Sequence, residues 1–210
     1  MNSYYLGLYY SWSNANAFIN TSLIGSYNHI KGKRKIEFTR VSRIAKNHHQ
    51  GEDLDLHLDG GLIFNRCNAF SILPFASLDY FYMREDGFTE TNADSLNLHV
   101  KKSNYHLLRS EIGSHFNKCF LCRKDLIADL KLSYVQETRF DGRHYSSNLV
   151  DQSGSFVVSG IKYNRNIFSP SLTISKLFIK DNISASIRYD GEFGKKYINH
   201  NLSAQIVKSF

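Results

Sequence analysis

Cysteines form the first group of residues whose type and spacing could do chemistry. Cys119 and Cys122 make a CxxC pair, and Cys67 is the third cysteine of the chain. A zinc site of this kind needs a second close pair, and a redox CxxC needs a βαβ context, so the sequence favours neither. The pair is interpreted as ordinary cysteines in a turn, or as a local disulfide between Cys119 and Cys122.

Histidines and lysines form two further groups. His48 and His49 precede Glu52 and Asp53, a combination that could contact a metal but is typical of a polar loop. Residues 31–35 read Lys-Gly-Lys-Arg-Lys. No nucleic-acid recognition module surrounds this basic run, so no nucleic-acid partner is predicted. A loop at a membrane surface, beside anionic lipopolysaccharide or phospholipid headgroups, accounts for it more simply.

A hydrolytic site would need a serine, a histidine and a carboxylate that converge on one point. Serines and histidines are common in this chain, for example His115, His144 and His200, but no nucleophile signature marks any of them. The chain is therefore predicted not to be an enzyme. No catalytic residue, metal ligand or cofactor-binding residue is predicted.

Composition bounds the class of protein. The chain has 210 residues, which is room for one domain or two small ones, and no linker divides it, so residues 1–210 are interpreted as one domain. Aromatic residues make up 14%, which argues against disorder, and the formal charge is +7. No run of about 18 apolar residues occurs, which excludes a spanning helix but not spanning strands of about 9–11 residues.

Alternation with a period of two is the dominant pattern. In Glu52–Phe64 the even positions are mainly leucine and three odd positions are aspartate, so a strand there would have one apolar and one acidic face. Asp125–Val135 and Asn182–Asp190 repeat this alternation. Weaker strands are predicted at Ser3–Ser13, Ala17–Asn28, Lys35–Val41, Ser71–Tyr82, Ser95–Lys101, Leu107–Phe116, Ser155–Tyr163, Pro170–Ile179 and His200–Phe210.

The connections between the predicted strands are of two kinds. The longest polar linkers are Ser42–Gly51, Arg84–Asp94 and Gln136–Ser153, whereas Lys180–Asn182 is tight. Long loops that alternate with tight turns are typical of antiparallel hairpins. No segment has a helical period, so the chain is predicted to be all-β with about ten strands.

Two all-β architectures fit these patterns. A soluble sandwich buries its apolar face, whereas an antiparallel transmembrane β-barrel turns that face to lipid. The predicted strands are longer than the average of about 5–6 residues, which favours the barrel. Aromatic side chains end the apolar faces, as in an interfacial girdle: Phe64, Tyr82, Tyr134, Tyr189 and Phe210. Charges of both signs occupy the polar faces and are predicted to face a lumen: Asp53, Asp55, Asp59, Arg109, Glu111, Asp129, Lys131, Arg188 and Asp190.

The last strand adds a signal of its own. Leu202, Ala204, Ile206 and Phe210 share one face, and Phe210 is the last residue. A terminal aromatic residue that closes an alternating strand resembles the assembly signal of bacterial outer-membrane proteins. Lys208 departs from that signal, which has an apolar or aromatic residue at this position.

Two segments carry a family resemblance. In the first, Leu73–Phe116, the matching features are Pro74 and Ala76 before a Leu-x-Tyr strand, then Glu85, Gly87 and Phe88, then Ala-Asp-Ser-Leu at 93–96 and Leu-Arg-Ser-Glu-Ile-Gly at 108–113. This segment resembles the middle of the autotransporter β-domain, and Ser186–Phe210 is similar to the last hairpin of that family. Chlamydial polymorphic outer-membrane proteins carry the same domain, and the chain is similar to that set.

The resemblance spans about residues 4–210 and implies a translocator of type V secretion. Its members place a twelve-stranded barrel in the bacterial outer membrane, with a helix in the pore and a passenger N-terminal to the barrel. The implied partners are outer-membrane lipid, the barrel-assembly machinery and the passenger.

The chain departs from the family pattern at its N-terminus. Residues 1–14 read as a strand rather than as a signal peptide, and neither a pore helix nor a passenger is recognised. We therefore expect a barrel domain that is incomplete at its N-terminus, a fragment of a longer protein. The alternatives are a soluble all-β binding domain and a porin-like barrel outside this family. Upstream coding sequence with a passenger, further strands and a signal peptide would separate them.

Overall fold

The computed structural model describes residues 1–67, 70–120, 125–140, 144–150, 154–159, 165–178 and 182–208. Strands account for nearly all of these residues, and one short 3-10 helix spans Asp94–Leu96. The strands are β1 Asn2–Ser13, β2 Ala17–Phe38, β3 Val41–Leu62, β4 Phe64–Cys67, β5 Phe70–Glu85, β6 Phe88–Thr89, β7 Leu98–Val100, β8 Ser103–Cys119, β9 Leu126–Arg139, β10 His144–Leu149, β11 Ser155–Ser159, β12 Arg165–Phe178, β13 Ile183–Gly194 and β14 Tyr197–Lys208.

One large antiparallel sheet contains the long strands in chain order. Its order is β1-β2-β3-β5-β8-β9-β12-β13-β14. The short strand β4 follows β3 and pairs with the part of β5 that lies beyond the end of β3. Each long strand therefore pairs with the next one along the chain. About ten strands were predicted, and the main path of this sheet has nine.

The sheet has two different ends. At the turn end the β1–β2 connection is residues 14–16, and β12 and β13 are joined through residues 179–182. At the loop end lie the tip of the β2–β3 hairpin, the connections 86–102 and 140–164, and a two-residue turn at 195–196. Because nine antiparallel strands alternate in direction, β1 and β14 both run from the loop end to the turn end.

The strands are strongly staggered. The row of directly opposed residues that contains Trp12 is one residue from the turn end of β1. Followed through the register of every strand pair, the same row reaches Ile198, which is one residue from the loop end of β14. A stagger of this kind is what closure of a sheet into a barrel requires, because tilted strands must slide past one another.

A second, four-stranded sheet lies at the loop end, with the order β11-β10-β7-β6. Its strands come from the two long connections, and Lys46 of β3 bridges to Thr91 beside them. Ser95–Lys101 was predicted as one strand. It divides into the end of the 3-10 helix and the short strand β7.

The β2–β3 hairpin corrects two predictions. Lys35–Val41 was predicted as a strand and Ser42–Gly51 as a linker, but the chain turns at Thr39 and Arg40, and residues 42–51 belong to β3. Arg40 takes a positive φ of 67° at this turn. Both faces of the hairpin tip carry polar side chains, and the apolar alternation there is limited to Ile36 and Phe38. The ladder depends on backbone groups, which pair whatever the side chains are.

Burial of apolar side chains is sparse in the described part of the chain. Among the described residues, the buried hydrophobic side chains are Ala45, Ala93, Val100, Val135 and Ile167. A soluble sandwich would bury one whole face of each sheet against the other. No helix in the described part of the chain is long and apolar enough to cross a membrane.

Gly113 of β8 packs tightly against β9, which gives a first testable prediction. A Cβ at this position would lie 2.5 Å from the Ser133 Cβ and 2.6 Å from the Leu132 carbonyl oxygen. Gly113→Ala is expected to lower the free energy of unfolding by about 1–3 kcal/mol, because the backbone must move to admit the methyl group. Urea titration of the folded protein in detergent measures the change.

Gly25 provides the matched control for this substitution. A Cβ there would meet nothing within 4 Å. Gly25→Ala is therefore expected to stay within about 0.5 kcal/mol of the native protein. Equal destabilisation by the two variants would contradict the β8–β9 packing described above.

Candidate functional site

One face of the large sheet is apolar from edge to edge. The register keeps these side chains in phase: Leu8, Leu23, Leu56 and Tyr80 form one row, and Phe116, Leu130 and Leu172 belong to another. Large side chains on this face are open, for example Leu6 at 79%, Ile112 at 64% and Ile206 at 77% exposure. Water does not favour so large an apolar surface, so something apolar must cover it.

Aromatic side chains border this apolar face. Toward the loop end Tyr82 is followed on its face by Arg84, and Tyr134 is followed by Gln136. Trp12, Phe64, Phe116 and Phe178 lie toward the turn end. Of the predicted girdle, Phe64, Tyr82, Tyr134 and Tyr189 lie on the apolar face, and Phe210 lies outside the described residues.

The opposite face is polar and ionic. It carries all nine residues that were predicted to line a lumen: Asp53, Asp55, Asp59, Arg109, Glu111, Asp129, Lys131, Arg188 and Asp190. Several of them are paired across strands: Lys131 Nζ lies 2.8 Å from Glu111 Oε1, and His115 Nδ1 lies 3.0 Å from Asp129 Oδ1.

Arg109 is the centre of the largest ionic group on this face. Its guanidinium donates to Glu137 and to Glu192, each at 2.9 Å. Glu192 belongs to β13, three strands away from β8, a separation of about 14 Å in a flat sheet. This direct contact shows that the sheet curls with its polar face on the concave side.

Two of the three aspartates of β3, Asp53 and Asp59, are held by neutral and imidazole partners. Asp53 accepts hydrogen bonds from Ser26 Oγ at 2.9 Å and Asn28 Nδ2 at 2.8 Å. The His57 ring lies between Asp59 and Asp79, with its Nε2 2.9 Å from Asp59 Oδ1. The acidic stripe of β3 is thereby joined to the neighbouring strands.

Sequence reasoning missed several members of this polar face. Glu137 fell in a predicted linker, Glu192 lay beyond the predicted end of its strand, and His57 was read only as part of an alternating pattern. The signal that could have found them is phase: each continues the same alternate positions as the predicted residues of its own strand.

The loop end has its own ionic contact, which joins the β2–β3 hairpin to the connection 86–102. Arg34 donates from Nε and Nη2 to the two carboxylate oxygens of Glu90, at 3.0 and 2.6 Å, and also to the Leu96 carbonyl. Glu90 is only 4% exposed. Burial alone would raise the pKa of the Glu90 carboxyl, but the hydrogen bonds from Arg34 and from the Leu98 N–H hold this pKa below its ordinary value.

Glu90→Gln is expected to loosen this contact. Charge-assisted hydrogen bonds are worth about 1.5–3 kcal/mol, so local opening is expected to become roughly 10–100 times more frequent. Lys46 and Thr91 exchange two backbone hydrogen bonds at 2.9 Å beside the pair, and hydrogen exchange at these two amides measures the opening. Glu37→Gln is the control, because Glu37 pairs with Lys35 in solvent.

The direction of the pH effect follows from the lowered pKa of Glu90. A carboxyl whose pKa is lowered by folding stabilises the contact above its unfolded pKa, and this stabilisation is lost as pH falls through the folded pKa. Protection of the two amides, corrected for intrinsic exchange, is expected to fall in acid in the native protein. A flat profile would contradict the role of Glu90.

The structure also places the other candidate groups. His48 and His49 point to opposite faces of β3: His48 stacks on His29, and His49 stacks on Phe88. Cys119 ends β8, whereas Cys122 lies outside the described residues. The described residues contain no group of histidine, cysteine and carboxylate side chains that could hold a metal ion.

A staggered antiparallel sheet with an apolar convex face and an ionic concave face defines the class of outer-membrane β-barrels. The autotransporter beta-domain family model matches residues 1–190, and the chain belongs to this family. The predicted family and fold class are thus confirmed. The match includes all of Leu73–Phe116 and the first part of Ser186–Phe210. A search of curated proteins gives no match.

The family assignment has consequences for function. Autotransporter β-domains are translocators rather than an enzyme family, and they belong to the bacterial outer membrane. The match is to the family as a whole, and the narrower similarity to chlamydial polymorphic proteins stays a prediction.

Proposed function

We propose that this chain is the membrane-inserted part of a translocator that exports or displays a passenger N-terminal to it. The observation that carries the proposal is the pair of faces on one staggered sheet: apolar and open on the convex side, ionic and paired on the concave side. In hydrocarbon the convex face needs no further cover, and the concave face encloses water.

The ends of the sheet support an orientation. Outer-membrane barrels have short periplasmic turns and longer extracellular loops. We therefore propose that the turn end faces the periplasm, and that the β2–β3 hairpin and the second sheet stand outside the cell. The nine ionic residues predicted from the sequence would line the pore.

The residue pattern of the last strand, β14, bears on how the chain is inserted into the membrane. Leu202, Ala204 and Ile206 lie on the apolar face of β14, and Lys208 lies opposite Ile183 on that face. Phe210 lies outside the described residues. We propose that this strand, with its terminal aromatic residue, presents the chain to the barrel-assembly machinery. We also propose that the chain is a fragment that needs additional strands.

Expression with a signal peptide, a small reporter and further barrel strands added before Met1 tests the proposal. We expect this completed protein in outer-membrane fractions, extracted only by detergent, and running faster unboiled than boiled on a dodecyl sulfate gel. Without the further strands, the reporter is expected to remain inaccessible to external protease, because an incomplete barrel leaves strand edges unpaired in hydrocarbon.

Each readout has an outcome that counts against the proposal. A soluble monomer without detergent would refute the membrane barrel and favour a soluble binding domain. A reporter displayed by residues 1–210 alone would support translocation but refute fragment status. A heat-modifiable barrel that never displays a reporter, even with added strands, would favour a porin-like protein.

A further inference from the structure

The outward face of the β2–β3 hairpin is basic above the apolar band. Lys31, Lys33, Lys46 and His48 are exposed there and border an open depression of about 620 Å³. Lys33 lies directly opposite Lys46, and Lys31 lies opposite His48. Like charges in directly opposed positions destabilise a strand pair, so this arrangement favours an anion between them.

The acidic side chains of this face are engaged elsewhere. Glu37 pairs with Lys35 at 2.7 Å, and Glu52 lies 3.9 Å from Arg84. Within the described part of the chain, no carboxylate forms an ion pair with Lys31, Lys33 or Lys46. We call these three residues the lysine cluster.

An apolar groove lies on the same face, below the lysine cluster. Gly25 forms its floor, since a Cβ there would meet nothing within 4 Å. Leu6 and Leu54 lie directly opposite Gly25 on the two neighbouring strands. Leu23 and Tyr27 flank it along β2, and the whole groove has a volume of about 680 Å³. Its lining is mainly apolar, with Glu52 opposite Tyr27 at the end nearer the lysine cluster, and an apolar lining suits an acyl chain.

Aromatic rings join the groove to the lysine cluster. The Tyr27 ring packs edge-on against His29 at 5.0 Å, and His29 stacks on His48 at 6.2 Å. These rings form the wall that a lipid headgroup would contact between its acyl chain and its outermost charges.

The height of the lysine cluster above the hydrocarbon distinguishes a phospholipid headgroup from a larger saccharide headgroup. Tyr27 lies in the row of Arg84, just beyond the girdle residue Tyr82, and we take this row as the edge of the hydrocarbon. Lys31 is four residues beyond Tyr27, which is about 13 Å along the strand and about 10 Å along the membrane normal at the usual barrel tilt. The headgroup layer of a phospholipid leaflet is only about 5–8 Å thick. The lysine cluster therefore stands above a phospholipid phosphate, at the level of a larger saccharide headgroup.

We propose that this face binds one outer-leaflet lipid with an anionic saccharide headgroup, its acyl chain in the groove at Gly25 and its sugar phosphates or carboxylates on the lysine cluster. The proposal rests on the membrane location given under Proposed function. It assigns Lys31 and Lys33 of the basic run at residues 31–35 a specific ligand rather than general attraction to a charged surface.

Binding of lipopolysaccharide with a phosphorylated core, in neutral mixed micelles, tests the headgroup half of the site. The triple variant Lys31→Gln, Lys33→Gln, Lys46→Gln is expected to bind at least about tenfold more weakly than the native protein. The control triple variant Lys101→Gln, Lys102→Gln, Lys195→Gln removes the same charge elsewhere and is expected to bind normally. Equal loss in both would show general electrostatics and overturn the site.

The groove is tested separately with Gly25→Leu. This variant is expected to bind lipopolysaccharide several-fold more weakly and its deacylated oligosaccharide as well as the native protein does. Native binding of the oligosaccharide as tight as that of the lipid, or equal binding of phosphatidylglycerol, would overturn the proposed ligand. Every variant is first checked for faster unboiled migration. All variants are made in the protein completed with further strands. If the native form of that protein lacks the faster migration, the membrane barrel is refuted, whereas a native form that migrates faster but does not bind refutes only the lipid site.

Discussion

Leu130→Arg is expected to impair membrane assembly more than most single substitutions in this chain. Leu130 lies directly between Phe116 and Leu172, and it is midway between Leu126 and Tyr134 on the apolar face of β9. An arginine at the lipid-facing midplane of a barrel costs about 2–4 kcal/mol. The heat-modifiable fraction in outer membranes, and the urea midpoint of the protein in vesicles, measure this effect.

Lys131→Leu is the matched comparison, one residue away on the other face. It removes the contact with Glu111, but Glu111 keeps Arg109 nearby on the wetter concave side. The smaller effect is therefore expected for Lys131→Leu. The reverse order would mean that the two faces are assigned the wrong way round, because a shift of register by one residue exchanges them.

Arg109→Leu is expected to have the second large effect. It leaves Glu137 and Glu192 without their shared guanidinium on the concave face. Breaking a fully buried ion pair costs about 3–5 kcal/mol, and we expect a smaller loss of about 2–3 kcal/mol. Water reaches part of this face, Glu137 keeps Arg165 at 3.6 Å, and Glu192 keeps the Tyr197 hydroxyl at 2.7 Å. The urea midpoint of the heat-modifiable form measures the loss.

Two further variants show whether the loss comes from the ionic group. Arg109→Leu combined with Glu192→Leu is expected to recover part of the stability, since one unpaired carboxylate is removed with the cation. Arg188→Leu removes an arginine whose partner Asp190 lies on the same strand in a more exposed pair, and is expected to cost at most about 1 kcal/mol. Equal costs for both arginines would contradict a special role for Arg109.

The sequence predicts well wherever apolar and polar residues alternate. Leu54, Leu56 and Leu58 identify one face of β3 because the period of a strand is two, and the same phase places Asp53 and Asp55 on the other face. The strand count and the hairpin around Arg40 were harder to predict from the sequence. Polar side chains occupy both sides of that hairpin, so its strands are defined mainly by backbone pairing.

Contacts between distant strands could not be predicted from the sequence. The pairing of Arg109 with Glu192 depends on how strongly the sheet curls, and that curvature comes from stagger and twist over four strands. The contact of Arg34 with Glu90 likewise depends on a connection that folds back onto the hairpin. Neither pair has a fixed spacing that a pattern in one chain could indicate.

The common direction of β1 and β14 restricts the number of strands that a closed barrel can have. If these two strands met directly they would be parallel, and two copies inserted the same way up would meet in the same fashion. A closed, wholly antiparallel barrel therefore requires an odd number of additional strands between β14 and β1. Nine plus an odd number is even, which is the rule for bacterial barrels, and three such strands would give the twelve that the family resemblance implies.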